Sequence, residues 1–155
     1  MLCYCEHSVT QRRILMIEDQ NEIAEVRSNL AAWLEAFNEG ALDKLFSLYD
    51  SKSLYANATA PLLRGIPEIR PWYEKALETF SGTLMYQEEA AIQNGSLAML
   101  LGAYYFRPSE DQKLSGETEA TGRVCLLYRK NENGQWKLLF DMDNTPPDIT
   151  PEQFK

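Results

Sequence analysis

One histidine, His7, is all the imidazole this 155-residue sequence has. Ser/His/Asp and Cys/His triads therefore lack their base, as does a His–Asp dyad, unless the N-terminal segment folds back into a site. Cysteine is also scarce, with Cys3, Cys5 and Cys125 only. An odd, sparse set argues against a disulfide framework and for reduced thiols. Cys3, Cys5 and His7 stand too close together for a usual zinc site, and no second ligand pair follows. There is no phosphate-binding loop and no dinucleotide fingerprint, so no metal or cofactor is expected. No run approaches the ~20 apolar residues that a membrane span needs. The first residues offer no apolar core of a signal peptide before Arg12 and Arg13. A cytoplasmic protein with no membrane partner is expected. Basic residues are outnumbered, 15 against 23 acidic, for a net charge of −8. Such a surface repels phosphate backbones and makes nucleic acid a poor partner.

What is present suits one domain with a real core: hydrophobic residues make up 45% of the chain. Residues 1–17 are expected to be a poorly ordered leader, 18–147 the domain and 148–155 a loosely held tail. A first helix is predicted over Gln20–Asn38, capped by Asp19, with Glu22 three residues on as in a capping box. Ile23, Val26, Leu30, Trp33, Leu34 and Phe37 form its apolar stripe. Gly40 ends it, and a short helix follows with Leu42, Leu45, Phe46 and Tyr49 on one face. A strand is predicted over Ser53–Ala58, a loop over Ala60–Gly65 and a helix over Pro67–Phe80, with Pro71 near its start. The remainder reads as strand: Thr83–Gln93, Ser96–Arg107, Glu117–Lys130 and Gln135–Asp143. Asn94-Gly95 marks the first hairpin. Helices early and strands late indicate an α+β layout.

The middle strands are apolar on both faces. In Ser96–Arg107, Leu97, Met99, Leu101, Ala103 and Tyr105 alternate with Ala98, Leu100, Gly102, Tyr104 and Phe106. An antiparallel sheet with one wet face does not show this pattern. Three helices cover one face; a second copy of the chain is the simplest cover for the other, so a homodimer packed through the sheet is expected. Curling of the sheet to hide these side chains within one copy is the alternative.

These segments resemble a known family. The run Leu30–Tyr73 is similar to the front half of SnoaL-like domains: a helix with a Trp, a Gly turn, a short helix ending in Leu-Tyr, a strand, and a Gly opening a helix that carries Ile-Arg and Trp. The run Gly122–Pro147 resembles the family's closing hairpin through Gly134, Trp136, Lys137, Asp141 and Asn144. The resemblance spans about Asp19 to Pro147 and places the chain with SnoaL-like and ketosteroid isomerase-like proteins of the nuclear transport factor 2-like superfamily. It implies a curved, mixed but mainly antiparallel sheet wrapped as a cone around three N-terminal helices, with a pocket at the open end. Isomerases, hydrolases, dehydratases, cyclases and binding modules share this fold, so the fold does not choose among them.

Residue by residue, several activities lose support. In ketosteroid isomerases a carboxylate base stands on the first strand; the matching position here is Asn57, whose amide takes no proton at neutral pH. The Tyr55–x–Asn57 pair resembles part of an epoxide hydrolase site of this fold, where Tyr, Asn and Asp orient a water. The Arg–x–Asp pair of that site has no match in 96–107. Arg123 and Asp141 are its candidate substitutes across adjacent strands, if a five-residue turn over Lys130–Gly134 sets them opposite each other; a four-residue turn sets them on opposite faces. Asp141 ends an apolar run, so burial is expected to raise its pKa toward that of a working base. The expected ligand is a small apolar or polyketide-like molecule, held by Tyr55, Asn57, Trp72, Tyr105 and Arg123, with Asp141 as the catalytic acid–base. A non-catalytic ligand-binding dimer and a protein-interaction module are the rival readings.

Overall fold

The computed structural model describes residues 20–111 and 120–155. The expected leader, the Asp19 cap and the start of the third long strand at Glu117 lie outside the described residues. The elements run α1 (Gln20–Asn38), α2 (Leu42–Ser47), β1 (Tyr49–Ala56), β2 (Leu63–Arg64), α3 (Gly65–Thr79), β3 (Gly82–Asn94), β4 (Leu97–Pro108), β5 (Ala120–Lys130), β6 (Trp136–Asn144) and a 3₁₀ turn (Pro151–Phe154). The six strands form one mixed sheet in the order β2-β1-β6-β5-β4-β3. All neighbours are antiparallel except β1 and β6, which run parallel. The helices lie on one face of this open, curved sheet. This is the predicted α+β cone.

The core forms where the helical stripe meets the inner face of the sheet. Ile23, Val26, Leu30 and Trp33 of α1 are buried against Ala98, Leu100, Leu126, Tyr128 and Leu138 from β4, β5 and β6. Each fully buried side chain of this kind contributes roughly 1.5–3 kcal/mol. Ile69 and Tyr73 of α3 close the far side. Two local expectations shift. Tyr49 opens β1 rather than ending α2, and its buried ring packs on Phe46 at 5.1 Å. Leu63 and Arg64, expected in a loop, pair with β1 as the short edge strand β2.

The outer face is covered in part by the chain itself. The tail expected to be loose turns back over it: Ile149 is buried, Thr121 Oγ1 donates to the Ile149 carbonyl at 3.1 Å, and Phe154 packs on Tyr105 at 5.6 Å. Beyond the tail the same face continues through Met99, Leu101, Leu127 and Phe140, all half-buried, to Leu97 and Met142, which are 44% and 46% exposed.

Two glycines shape the inner face. A Cβ on Gly102 would lie 2.4 Å from the Tyr86 ring and 2.5 Å from the Gln87 carbonyl. A Cβ on Gly122 would lie 2.6 Å from the Tyr104 ring and 2.4 Å from the Asn144 carbonyl. Each Tyr thus lies flat across the glycine of the next strand, an arrangement in which an aromatic ring fills the space left by a missing side chain. Laid flat, the two rings line the hollow of the cone without filling it. Gly102→Ala is expected to lower stability by about 1–3 kcal/mol and to push the Tyr86 ring into the hollow. Urea unfolding measures the first effect, and unchanged stability would show that the ring is free to move away.

Candidate functional site

The hollow is a cavity of about 260 Å³ walled by α1, α3 and the inner face of β3–β6. Apolar walls come from Leu30, Leu34, Phe37, Leu77, Phe106 and Val124, among others. Its polar groups gather on β1 and β6. Parallel pairing sets Tyr55 beside Asp141 and Ala56 beside Met142. Since alternate residues share a face, Tyr55 and Asn57 run alongside Asp141 and Asp143, and all four line the cavity.

Asp141 is 5% exposed. Its described hydrogen bond comes from the Tyr73 hydroxyl, which donates to Oδ2 at 3.3 Å. Tyr73 in turn accepts from the Tyr49 hydroxyl at 3.4 Å, and Tyr49 accepts from Trp33 Nε1 at 3.2 Å. Burial raises the Asp141 carboxyl from 3.8 to about 7; the charge of Asp143 adds to the rise and the Tyr73 bond opposes it. Burial also holds Tyr49, Tyr55 and Tyr73 well above the ordinary phenol range, with the charge of Asp141 contributing to each. The phenols of this cluster are therefore donors at neutral pH.

Asp143 has different surroundings. The Tyr55 hydroxyl donates to its Oδ2 at 3.1 Å, Asn57 Nδ2 to the same oxygen at 3.3 Å, and the Ala58 N–H to Oδ1 at 2.9 Å. Asn57 Nδ2 also donates to the Tyr55 oxygen at 2.8 Å, and its own Oδ1 accepts from the Thr59 N–H and hydroxyl at 2.9 and 2.8 Å. Tyr55, Asn57 and Asp143 thus form one locked cluster. These are the residue types of the water-orienting set in the epoxide hydrolase resemblance, while Asp141, expected to pair with Arg123, stands outside the cluster.

Of the expected ligand-binding residues, Tyr55, Asn57 and Trp72 reach the cavity. Trp72 is half-buried and meets the Tyr55 ring edge-on at 5.0 Å. Arg123 and Tyr105 do not reach it. The turn after β5 joins Lys130 to Trp136, and a bulge between Leu127 and Tyr128 shifts the register once more. Arg123 therefore pairs with Asn144, while Leu126 faces Asp141. Arg123 lies on the outer face, clamped by Glu89 and Asp148 at 2.7 Å each. Tyr105 points outward too, under Phe154; its neighbour Tyr104 is the one that lines the cavity. Among the described residues no lysine, arginine or histidine lines the cavity. The inner positions of β4 that would correspond to an Arg–x–Asp pair carry Gly102 and Tyr104.

Sequence reasoning missed Asp143 and the Tyr49–Tyr73 relay. The Asp–x–Asp spacing of 141 and 143 was the available signal for the first, since it puts both carboxyls on one face of a strand. Nothing local joins Tyr49 to Tyr73, which meet only through packing of β1 on α3.

Two further hydroxyls, Tyr86 Oη and Tyr128 Oη, are buried with no hydrogen-bond partner among the described residues, each at a cost of ~1–3 kcal/mol. Both rings line the cavity. Among the described residues no group of three or more His, Cys, Asp or Glu side chains is placed to hold a metal ion. No described helix is long and apolar enough to cross a membrane.

Comparison with known proteins agrees with this fold. Solved structures with the same fold include a ketosteroid isomerase-like protein from Erwinia carotovora atroseptica SCRI1043, 21% identical, with a TM-score of 0.71 over 85% of this chain and 99% of that one. A nuclear transport factor 2-like superfamily protein from Salmonella enterica serovar Typhimurium LT2 is 14% identical, with a TM-score of 0.69 over 84% and 95%. An NTF2-like protein of unknown function from Shewanella oneidensis MR-1 is 19% identical, with a TM-score of 0.65 over 78% and 97%. At such identities the likeness is one of fold. No curated protein matches the sequence. The model of the SnoaL-like domain matches residues 30–139, well over half of the chain, and the chain belongs to that family.

Proposed function

We propose that this chain binds a small, mostly apolar molecule in the cone and transfers protons on it, with Asp141 as the acid–base group. One observation carries the reading: the Asp141 carboxyl is buried in an apolar cavity with the Tyr73 hydroxyl as its described donor, and that burial pushes its pKa up to about 7. A group poised near the working pH both gives and takes a proton readily. Asp143, fixed by three donors, would orient the substrate or a water molecule beside it together with Tyr55 and Asn57. Isomerisation, hydrolysis and cyclisation all need such proton transfers. A ligand-binding protein without catalysis is the second reading, favoured by the predominance of apolar wall.

We also propose a homodimer through the outer face. The exposed Leu97 and Met142, together with half-buried Met99, Leu101, Leu127 and Phe140, make a continuous apolar surface that the tail leaves open. Sedimentation of the full chain is expected to give a dimer, and Met142→Asp to shift it to monomer. A monomeric wild type would refute this arrangement.

The pH dependence of stability follows from the raised Asp141 carboxyl. Its folded-state value of about 7 lies above the 3.8 of an unperturbed aspartate, so the folded state holds this proton more tightly than the unfolded state does. The stabilisation is fully present below pH 4, is lost as pH rises through 7, and amounts to at most about 4 kcal/mol. Asp141→Asn is therefore expected to unfold at higher urea than wild type at pH 8, with the gain shrinking toward pH 4. A variant less stable at pH 8 would mean that the carboxylate is stabilised in place.

Catalysis is tested without knowing the substrate. Wild type and Asp141→Asn are incubated in deuterated buffer with a panel of small ketones, enones and epoxides, and NMR follows deuterium uptake and ring opening. Wild-type turnover is expected to follow one titration near pH 7 and to fall at least ~100-fold in the variant. Turnover that survives the substitution removes Asp141 from the chemistry. Binding with no turnover across the panel selects the second reading.

A further inference from the structure

Tyr128 has 0% exposure, and its hydroxyl has no hydrogen-bond partner among the described residues. Tyr86 Oη shares that condition in the same cavity. The two rings come from β3 and β5, with β4 between them. Burial is the main obstacle to ionising Tyr128, followed by the charges of Asp141, Tyr49 and Tyr86, so the Tyr128 hydroxyl lies in the field of Asp141 and of Tyr86. Packing alone fixes them: Tyr86 lies flat over Gly102, and Tyr128 is enclosed in the core cluster.

The polar groups around them decide what they suit. Two phenols are two O–H donors, and a carbonyl oxygen has two lone pairs to accept them. A protonated amine would be drawn to Asp141, yet it has no lone pair and would leave both phenol protons unmatched. A carboxylate would match them, but it would be desolvated in a cavity that holds Asp141 and Asp143 and that no cation among the described residues lines. A pure hydrocarbon would leave both donors as they are.

We infer that Tyr86 and Tyr128 determine ligand specificity, their hydroxyls jointly receiving the carbonyl oxygen of a neutral, otherwise apolar ligand. The inference rests on the ligand-binding part of the reading above and is independent of proton transfer by Asp141.

Isothermal titration tests it with four probes that share one ring system: methyl naphthyl ketone, ethylnaphthalene, naphthoate and naphthylmethylamine. Wild type is expected to bind the ketone at least roughly tenfold more tightly than the hydrocarbon, and more tightly than either charged probe. In Tyr128→Phe and in the Tyr86→Phe/Tyr128→Phe double variant this preference should vanish, while affinity for ethylnaphthalene is kept. Thermal stability of Tyr128→Phe should be unchanged or higher, because the hydroxyl removed has no partner; a merely structural hydroxyl would instead lower it and leave the ketone preference intact. A ketone that binds wild type no better than ethylnaphthalene, a preference that survives in the double variant, or tighter binding of the amine or the carboxylate overturns the inference. Asp141→Asn separates the two readings: it should keep the ketone preference, and proton transfer that persists there sinks the catalytic reading and leaves this one standing.

Discussion

Charging Asp141 inside an apolar cavity is unfavourable, and the rest of the site is arranged around that fact. A carboxylate removed from water needs donors or an opposite charge. Here no cation among the described residues lines the cavity, and Tyr73 supplies the described hydrogen bond at 3.3 Å. The bond is backed by Tyr49 and Trp33, each donating toward the acid. With one donor rather than three, the carboxyl is left near the point where its two forms are equally favoured. A leucine or an asparagine there would avoid the cost of the buried charge.

The cavity itself depends on how the strands pair. Because β1 runs parallel to β6, Tyr55–x–Asn57 lies beside Asp141–x–Asp143 with all four side chains on the helix side of the sheet. An antiparallel pairing would put the other end of β1 against these acids. Gly102 and Gly122 then allow Tyr86 and Tyr104 to lie along the sheet rather than stand out from it. The same residues that make the sheet continuous leave the volume in its hollow open, so the architecture and the site have one cause.

Much of this was legible in the sequence, and the failures have physical reasons. The α1 stripe from Ile23 to Phe37 follows a helical period, and its limits at Gln20 and Asn38 match the structure. Burial of Asp141 after Leu138, Leu139 and Phe140 was equally readable, because a short apolar run on a late strand belongs to a core. Register was not. The length of the turn after β5 and a one-residue bulge at Leu127–Tyr128 together move Arg123 from Asp141 to Asn144, and on the outer face it is clamped by Glu89 and Asp148. A bulge adds one residue without any sequence mark as strong as Asn94-Gly95, and one residue reverses every face beyond it. Tyr105 failed for a related reason. Both faces of β4 are apolar, so period alone does not say which face meets the helices; the tail residues Ile149 and Phe154 decide it from a distance. The parallel pairing of β1 and β6, separated by some eighty residues, left no local trace either.

Asn57 shows why the acid of this site belongs on β6. In ketosteroid isomerases the matching position of the first strand carries the base, and an amide there looks like a lost function. In this chain the amide donates to Asp143 at 3.3 Å and to Tyr55 at 2.8 Å, while its oxygen accepts twice from Thr59. An aspartate in its place would face the carboxyl of Asp143 at the same distance, and two carboxylates that close do not both ionise. The amide has the shape of the acid without its charge and donates to Asp143, whose charge is part of what raises Asp141. The amide on β1 and the raised carboxyl on β6 are thus two sides of one electrostatic arrangement.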